Sequence, residues 1–87
     1  MNVAFLSQGW EDYLHWQTTD KQVLRKLNAL IKECQRTPYG GSGRPEPLRY
    51  ELSGWWSRRI SDEHRLVYRV TDDALEIAQC RFHYDRD

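Results

Sequence analysis

The sequence has no surplus of either charge, few cysteines and no long apolar run. Thirteen acids balance thirteen bases over 87 residues, so the chain as a whole is not a polycation drawn to nucleic acid by net charge. Its two cysteines, Cys34 and Cys80, stand alone and without metal-site spacing. They predict reduced, buried thiols in a cytoplasmic setting. His15, His64 and His83 form no HxxxH pair and have no CxxC beside them, which argues against a metal centre and leaves no cofactor implied. No P-loop and no serine-centred elbow is present. No stretch has the length or hydropathy of a signal peptide or a membrane span. Lysine is missing after residue 40, where all eight bases are arginine.

What is there describes one folded domain, residues 1–87. Hydrophobic residues make up 39% and charged residues 30%, the balance of a globular chain. A domain this small has a marginal core, so dimerisation or a partner is a natural supplement. Four tryptophans are more than such a core can enclose fully, and some serve a surface. The charge is unevenly spread. From Arg44 to Arg69 six arginines face four acids, and from Val70 to Asp87 two arginines face five. Arginine offers a planar fork suited to phosphate; the bias of a GC-rich genome would leave the same excess.

The pattern predicts a strand over Asn2 to Leu6, then a helix capped by Ser7 and running to about Gln17, with Trp10, Tyr13 and Leu14 on one face. Asp20 caps a second helix. Val23, Leu24, Leu27, Leu30, Ile31 and Cys34 give it the clearest helical period in the chain. It should stop near Arg36, because Pro38 disfavours helical geometry at Thr37. Tyr39 to Pro47 reads as a glycine- and proline-rich loop. Three strands follow, at about Trp55–Ile60, Arg65–Val70 and Leu75–Tyr84, with short turns that favour antiparallel hairpins. The fold class is therefore α+β, ordered β-α-α-β-β-β, with an antiparallel sheet and two helices packed on one face.

Period-two alternation assigns faces. Leu66, Tyr68 and Val70 share one side, with Ala78, Cys80 and Phe82 expected beside them in the core. The free face then carries Arg59, Arg65, Arg81 and His83. So many cations on one sheet face suggest an anion-binding surface, and a phosphodiester is the natural anion.

In "RPEPLR", Glu46 is fixed between Pro45 and Pro47. Pro45 has a set φ, and Pro47 pushes Glu46 to extended geometry. The carboxylate is aimed with little entropy left to lose. One acid, one imidazole and several guanidiniums form a set able to cut RNA. Glu46 would take the proton of a ribose 2′-hydroxyl, His83 would give one to the departing 5′ oxygen, and Arg65 would stabilise the phosphate charge. Arg49 and Arg59 would support it. A glutamate ordinarily titrates at about 4.3 and is a weak base for a sugar hydroxyl, so the scheme leans on positioning and phosphate neutralisation. Taken singly, each residue has an ordinary reading. Glu46 is a solvated loop acid, His83 an exposed terminal side chain and Arg58–Arg59 a surface ion-pair site. Tyr84 is a packing residue or a base-stacking platform.

The stretches "WEDYLHWQTTDK", "RTPYGGSGRPEPLRYELSGWWSRRISDEHRLVY" and "CRFHY" resemble the Txe/YoeB family of the RelE toxin superfamily, over essentially the whole chain to Tyr84. The resemblance implies a RelE-like fold and the toxin of a type II toxin–antitoxin system. That toxin is a metal-independent endoribonuclease, which enters the A site of the 70S ribosome and cleaves messenger RNA there. It implies Glu46 and His83 as the acid–base pair, Arg65 as the phosphate-stabilising arginine, and Arg59 and Tyr84 as supports. It implies a YefM-like antitoxin, a toxin homodimer, and contact with operator DNA only through the antitoxin complex. Arg49 stands where the family often has lysine, and Tyr50 where relatives can have histidine. Asp85, Arg86 and Asp87 extend past the usual end, placing two carboxylates near His83. Two other functions compete. One is a non-catalytic RNA- or antitoxin-binding repressor module. The other is a ParE-like gyrase-directed toxin, which would not need the Glu46–His83 pair.

Overall fold

The computed structural model of the chain describes residues 1–84. Strand β1 (Asn2–Phe5) leads into helices α1 (Ser7–Thr19) and α2 (Lys21–Arg36). The sheet continues with β2 (Glu46–Pro47), β3 (Trp56–Arg59), β4 (Arg65–Val70) and β5 (Ala74–Gln79), with a 3-10 turn at Tyr50–Leu52 between β2 and β3. The strand order is β1-β5-β4-β3-β2. The β2–β3, β3–β4 and β4–β5 pairs are antiparallel. β1 joins β5 in parallel, so the sheet is mixed rather than wholly antiparallel. Turn chemistry reports only neighbouring strands, which is why the sequence showed the hairpins and not this long-range pair.

Helix α2 follows its sequence signal. Asp20 accepts from the backbone N–H groups of Gln22 and Val23, each at 3.1 Å, and satisfies donors that the first turn leaves free. Leu27, Leu30, Ile31 and Cys34 are buried against Ile60, Leu66, Tyr68, Leu75, Ile77 and Cys80. Helix α1 departs from expectation. Leu6, not Ser7, takes the N-cap position, and no side chain caps it. The face turned to the sheet is Gly9, Asp12 and Trp16, while Trp10 is 47% exposed. Gly9 explains the close approach: a Cβ there would stand 2.5 Å from the Ile77 carbonyl oxygen. A helix whose packed face is glycine and aspartate has little apolar period for a sequence reading to find.

The last strand is shorter than predicted. The register passes from Val67↔Gln79 to Tyr68↔Ile77, so Ala78 is an extra residue, a β-bulge. Inward residues are then Leu75, Ile77 and Cys80, all fully buried, and Phe82 is 58% exposed. The expected core trio of Ala78, Cys80 and Phe82 is thus corrected to Cys80 alone: the bulge takes Ala78 out of the alternation, and Phe82 lies beyond the strand's end at Gln79, where its φ is 61°. Beyond Gln79 the backbone is held by side chains instead of a ladder. Asp12 Oδ2 accepts from the Cys80 N–H at 3.0 Å, and Trp16 Nε1 donates to the Cys80 carbonyl at 2.8 Å.

Substituting Gly9→Ala should destabilise the domain by about 1–3 kcal/mol, the usual cost of overpacking against a backbone that cannot yield. Urea unfolding would show it as a lower midpoint with an unchanged slope.

Candidate active site

Glu46 opens the edge strand β2 and lies opposite Ser57 of β3, which lies opposite Val67 of β4. An edge is the one place in a sheet where the flanking Pro47 is tolerated. The segment before Glu46 is bent by design. Gly41 and Gly43 have φ of 104° and 83°, and Arg44, not a glycine, has φ of 54°. Gly43 accepts from the Arg59 N–H at 2.7 Å, which lays the strand entrance along β3. Glu46 is exposed. Among the described residues its carboxylate forms no ion pair, despite Arg44 and Arg49 close in sequence.

The loop that delivers Glu46 is tied down by Arg58, which is fully buried. Its Nη1 donates to Glu33 Oε1 at 2.5 Å and to the Ser42 carbonyl at 3.0 Å. Its Nη2 donates to the carbonyls of Thr37 and Gly40, each at 2.6 Å. Nε donates to the Tyr68 hydroxyl at 3.2 Å, and that hydroxyl donates to the Pro38 carbonyl at 2.6 Å. Glu33 also accepts from the Ser42 N–H at 2.8 Å. That backbone bond, and then the Arg58 charge, hold the Glu33 carboxyl below the usual range. Burial pushes the Tyr68 hydroxyl up to about 12, so it remains protonated and able to donate. Arg58 is therefore not the surface ion-pair residue that the Arg58–Arg59 doublet suggested; only Arg59 is exposed.

Arg59 lies opposite Arg65 across the β3–β4 ladder. Arg65 is only 8% exposed. Its Nη1 donates to the carbonyls of Ser61 at 2.7 Å, Asp62 at 3.2 Å and His64 at 3.1 Å, which fix the guanidinium in place. Two strand spacings put the Glu46 Cα roughly 10 Å from β4, and Arg65 stands about 7 Å further along that strand than Val67. The Arg65 N–H donates to the Phe82 carbonyl at 3.0 Å, which brings the exposed His83 alongside the start of β4. The His83 and Tyr84 rings lie 4.5 Å apart between centroids. One sheet face thus carries an acid and two guanidiniums, and the exposed imidazole of His83 follows the segment bonded to the start of β4; such groups can accept a proton, neutralise an anion and donate a proton.

The remaining residues of interest are arranged around this group. Arg49 is exposed and precedes Tyr50, which has φ of 58° and is 73% exposed. Arg81 is placed apart from Arg59 and Arg65. It stands 4.4 Å over the Phe82 ring and lines a groove with Gln8, Glu11 and His15 of α1. Arg69, on the Arg65 face, is taken up by Glu76 at 2.7 Å and by the Trp55 ring at 4.4 Å. Asp85, Arg86 and Asp87 lie outside the described residues.

His64 was missed as a site residue. Its Nδ1 accepts from the Phe82 N–H at 2.7 Å, and its ring meets Trp16 edge to face at 4.8 Å. Burial lowers its pKa from the ordinary value; nearby Glu63 opposes this, and Arg81, His15 and Arg65 add to it. Its place in "EHRLVY", beside an arginine already singled out, was the only signal.

These observations agree with what comparison shows. The family model described as "YoeB-like toxin of bacterial type II toxin-antitoxin system" matches residues 5–84. Toxin YoeB of Escherichia coli K12 is 58% identical over 97% of this chain and 100% of its own length. Toxin YoeB of Streptomyces coelicolor is 55% identical over the same shares. A YoeB/ParE toxin from Agrobacterium tumefaciens superposes with a TM-score of 0.94 at 49% identity, covering 97% of this chain and all of that one. A YoeB–YefM complex from Staphylococcus aureus superposes with a TM-score of 0.89 at 44% identity, over 97% and 98% of the two chains. The chain belongs to the YoeB family, toxins of bacterial type II toxin–antitoxin systems.

Arg58→Ala should cost roughly 3 kcal/mol, the low end for breaking a buried pair, since the Glu33 side chain keeps 26% exposure. Thermal unfolding would report it. The His64 shift also has a sign. A histidine in the unfolded chain titrates near 6.5, and the folded one titrates lower. Between the two values the unfolded state binds more protons. The His64 contribution is therefore complete above about pH 6.5 and declines as pH falls below it. Urea midpoints of wild type and His64→Asn at pH 7.5 and 5.5 should diverge at the higher pH and converge at the lower.

Proposed function

We propose that this toxin is a ribosome-dependent endoribonuclease that cleaves messenger RNA in the A site of the 70S ribosome and so halts translation. The observation that supports this best is that an exposed, proline-fixed carboxylate shares a sheet face with a carbonyl-braced arginine, whose backbone N–H holds the segment leading into the exposed His83. Glu46 takes the 2′-hydroxyl proton, and the 2′ oxygen attacks the adjacent phosphorus. The bond to the 5′ oxygen breaks, and His83 protonates that oxygen as it leaves. The products are a 2′,3′-cyclic phosphate and a free 5′-hydroxyl, with no metal required. Arg65 and Arg59 stabilise charge on the phosphoryl oxygens. Arg49 and Tyr84 contact the RNA around the cut, and Arg81, on the side of α1, contacts it further out.

Glu46 is exposed on the edge strand. The ribosome therefore supplies part of the alignment by holding the message in an in-line geometry. A YefM-like antitoxin is the inhibitory partner and carries the operator contact, in keeping with the YoeB–YefM complex from Staphylococcus aureus. A homodimer is the free form, as in the YoeB dimer structure from the same organism. The setting is cytoplasmic, where ribosomes are; no helix among the described residues is long and apolar enough to cross a membrane.

Primer extension on a reporter message after induction without antitoxin tests this. Wild type should give discrete cuts within translated codons, whereas Glu46→Ala and His83→Ala should each cut about 10²–10⁴-fold more slowly, the usual worth of a general acid or base. Undiminished cleavage by both variants would sink the mechanism. DNA damage in place of cut message would redirect it to a gyrase-directed toxin. Purified toxin should cleave free RNA poorly.

A further inference from the structure

We propose that His64 is a positioning residue for the proposed acid His83: its imidazole holds the Phe82 peptide and so fixes the turn that His83 follows. The proposal rests on the ribonuclease reading above and adds a residue to it.

Phe82 has φ of 61°. A bulky residue in the left-handed region is strained and persists only where its surroundings hold it. Consecutive residues supply that hold. The Phe82 N–H donates to His64 Nδ1 at 2.7 Å, and the Phe82 carbonyl accepts from the Arg65 N–H at 3.0 Å. Both polar groups of this residue are thereby used, so its peptides cannot rotate without losing a bond. The imidazole is itself immobilised. Its ring meets Trp16 at 4.8 Å and Phe82 at 5.8 Å, and Trp16 is anchored through its bond to the Cys80 carbonyl. The backbone carbonyl of His64 is used too, accepting from Arg65 Nη1 at 3.1 Å. The dipeptide His64–Arg65 therefore sets the phosphate clamp with one residue and the turn before the acid with the other. Their spacing becomes a local property of β4.

The role requires an acceptor at Nδ1, so the bound imidazole is unprotonated there. Asparagine places Oδ1 where histidine has Nδ1, one bond from Cγ. Leucine fills similar space with no acceptor and leaves the Phe82 N–H unpaired. The test compares full-length wild type, His64→Asn and His64→Leu on purified ribosomes carrying a defined message. It measures ribosome affinity separately from the single-turnover cleavage rate at saturation. Exchange of the Phe82 amide, read by ¹⁵N NMR on the free toxin, reports the contact directly.

Expected are a loss of about tenfold to 10²-fold in saturated rate for His64→Leu, as misplacement by about 1 Å gives, with ribosome affinity kept. The Phe82 amide should lose protection in His64→Leu and retain it in His64→Asn, which should recover most of the rate. If His64→Leu does not fold, His64→Gln, whose acceptor sits one bond further out, takes its place. A His64→Leu rate equal to wild type, or a His64→Asn variant as impaired as His64→Leu, overturns the proposal. If wild type itself cuts no message, the ribonuclease reading falls, and with it the catalytic purpose of His64. The amide measurement then shows whether that failure lies in the chemistry or in the turn.

Discussion

A single buried guanidinium joins the parts of this domain that carry chemistry. Arg58 draws together α2 through Glu33, the sheet through Tyr68, and the following loop through the carbonyls of Thr37, Gly40 and Ser42. Those carbonyls belong to a segment with no strand or helix of its own. Backbone acceptors brought under the core in this way need donors, and arginine provides five in a fixed fork. Remove that fork and the loop keeps only the bonds of Ser42 to Glu33, Pro38 to Tyr68 and Gly43 to Arg59. Glu46, a few residues downstream, would then start from a less firmly held origin, whatever its two prolines do locally.

The two halves of the site are supported by different means. Glu46 stands on an edge strand of two residues, guided by positive φ at Gly43 and Arg44. His83 follows a segment that leaves the sheet after a bulge and is then caught by Asp12, Trp16, His64 and Arg65. Between them β3 and β4 carry Arg59 and Arg65 in register. The rigid centre is cationic, and the two groups proposed to move protons sit at its margins. Backbone strain is concentrated at the same margins, beside Glu46, Arg49 and His83, as expected where geometry is held against local preference.

Much of this was legible beforehand, for physical reasons that can be named. Helix α2 has a strong apolar period and a capping aspartate, and it was placed nearly to the residue. Strands β3 and β4 alternate cleanly, so the placing of Arg59 and Arg65 together on the free face followed. What could not be seen was long-range or irregular. The parallel β1–β5 pair has no local signature. The bulge at Ala78 and the strand's end at Gln79 interrupt the alternation, so Ala78 and Phe82 were assigned to the core. Gly9 and Asp12 make α1 look unsuited to packing, although a close glycine contact and a buried carboxylate are how it packs. Arg58 read as one of two surface cations because sequence shows charge and does not show depth.

The parallel pairing of β1 with β5 also orders events during synthesis. β1 is made before both helices and three other strands, and its partners Ala74 to Ile77 come only after them. The carbonyl of Ile77 that receives the Leu6 N–H, and the Cys80 peptide that Asp12 and Trp16 hold, come as late. Such non-local contacts reward the chain only after a long loop has closed. The helices and the arginine-bearing hairpin precede β5 in the chain and can form before it. The strand that seats β1 and the segment leading to His83 follow them, so the sheet is completed in the same stretch of chain that delivers the proposed acid.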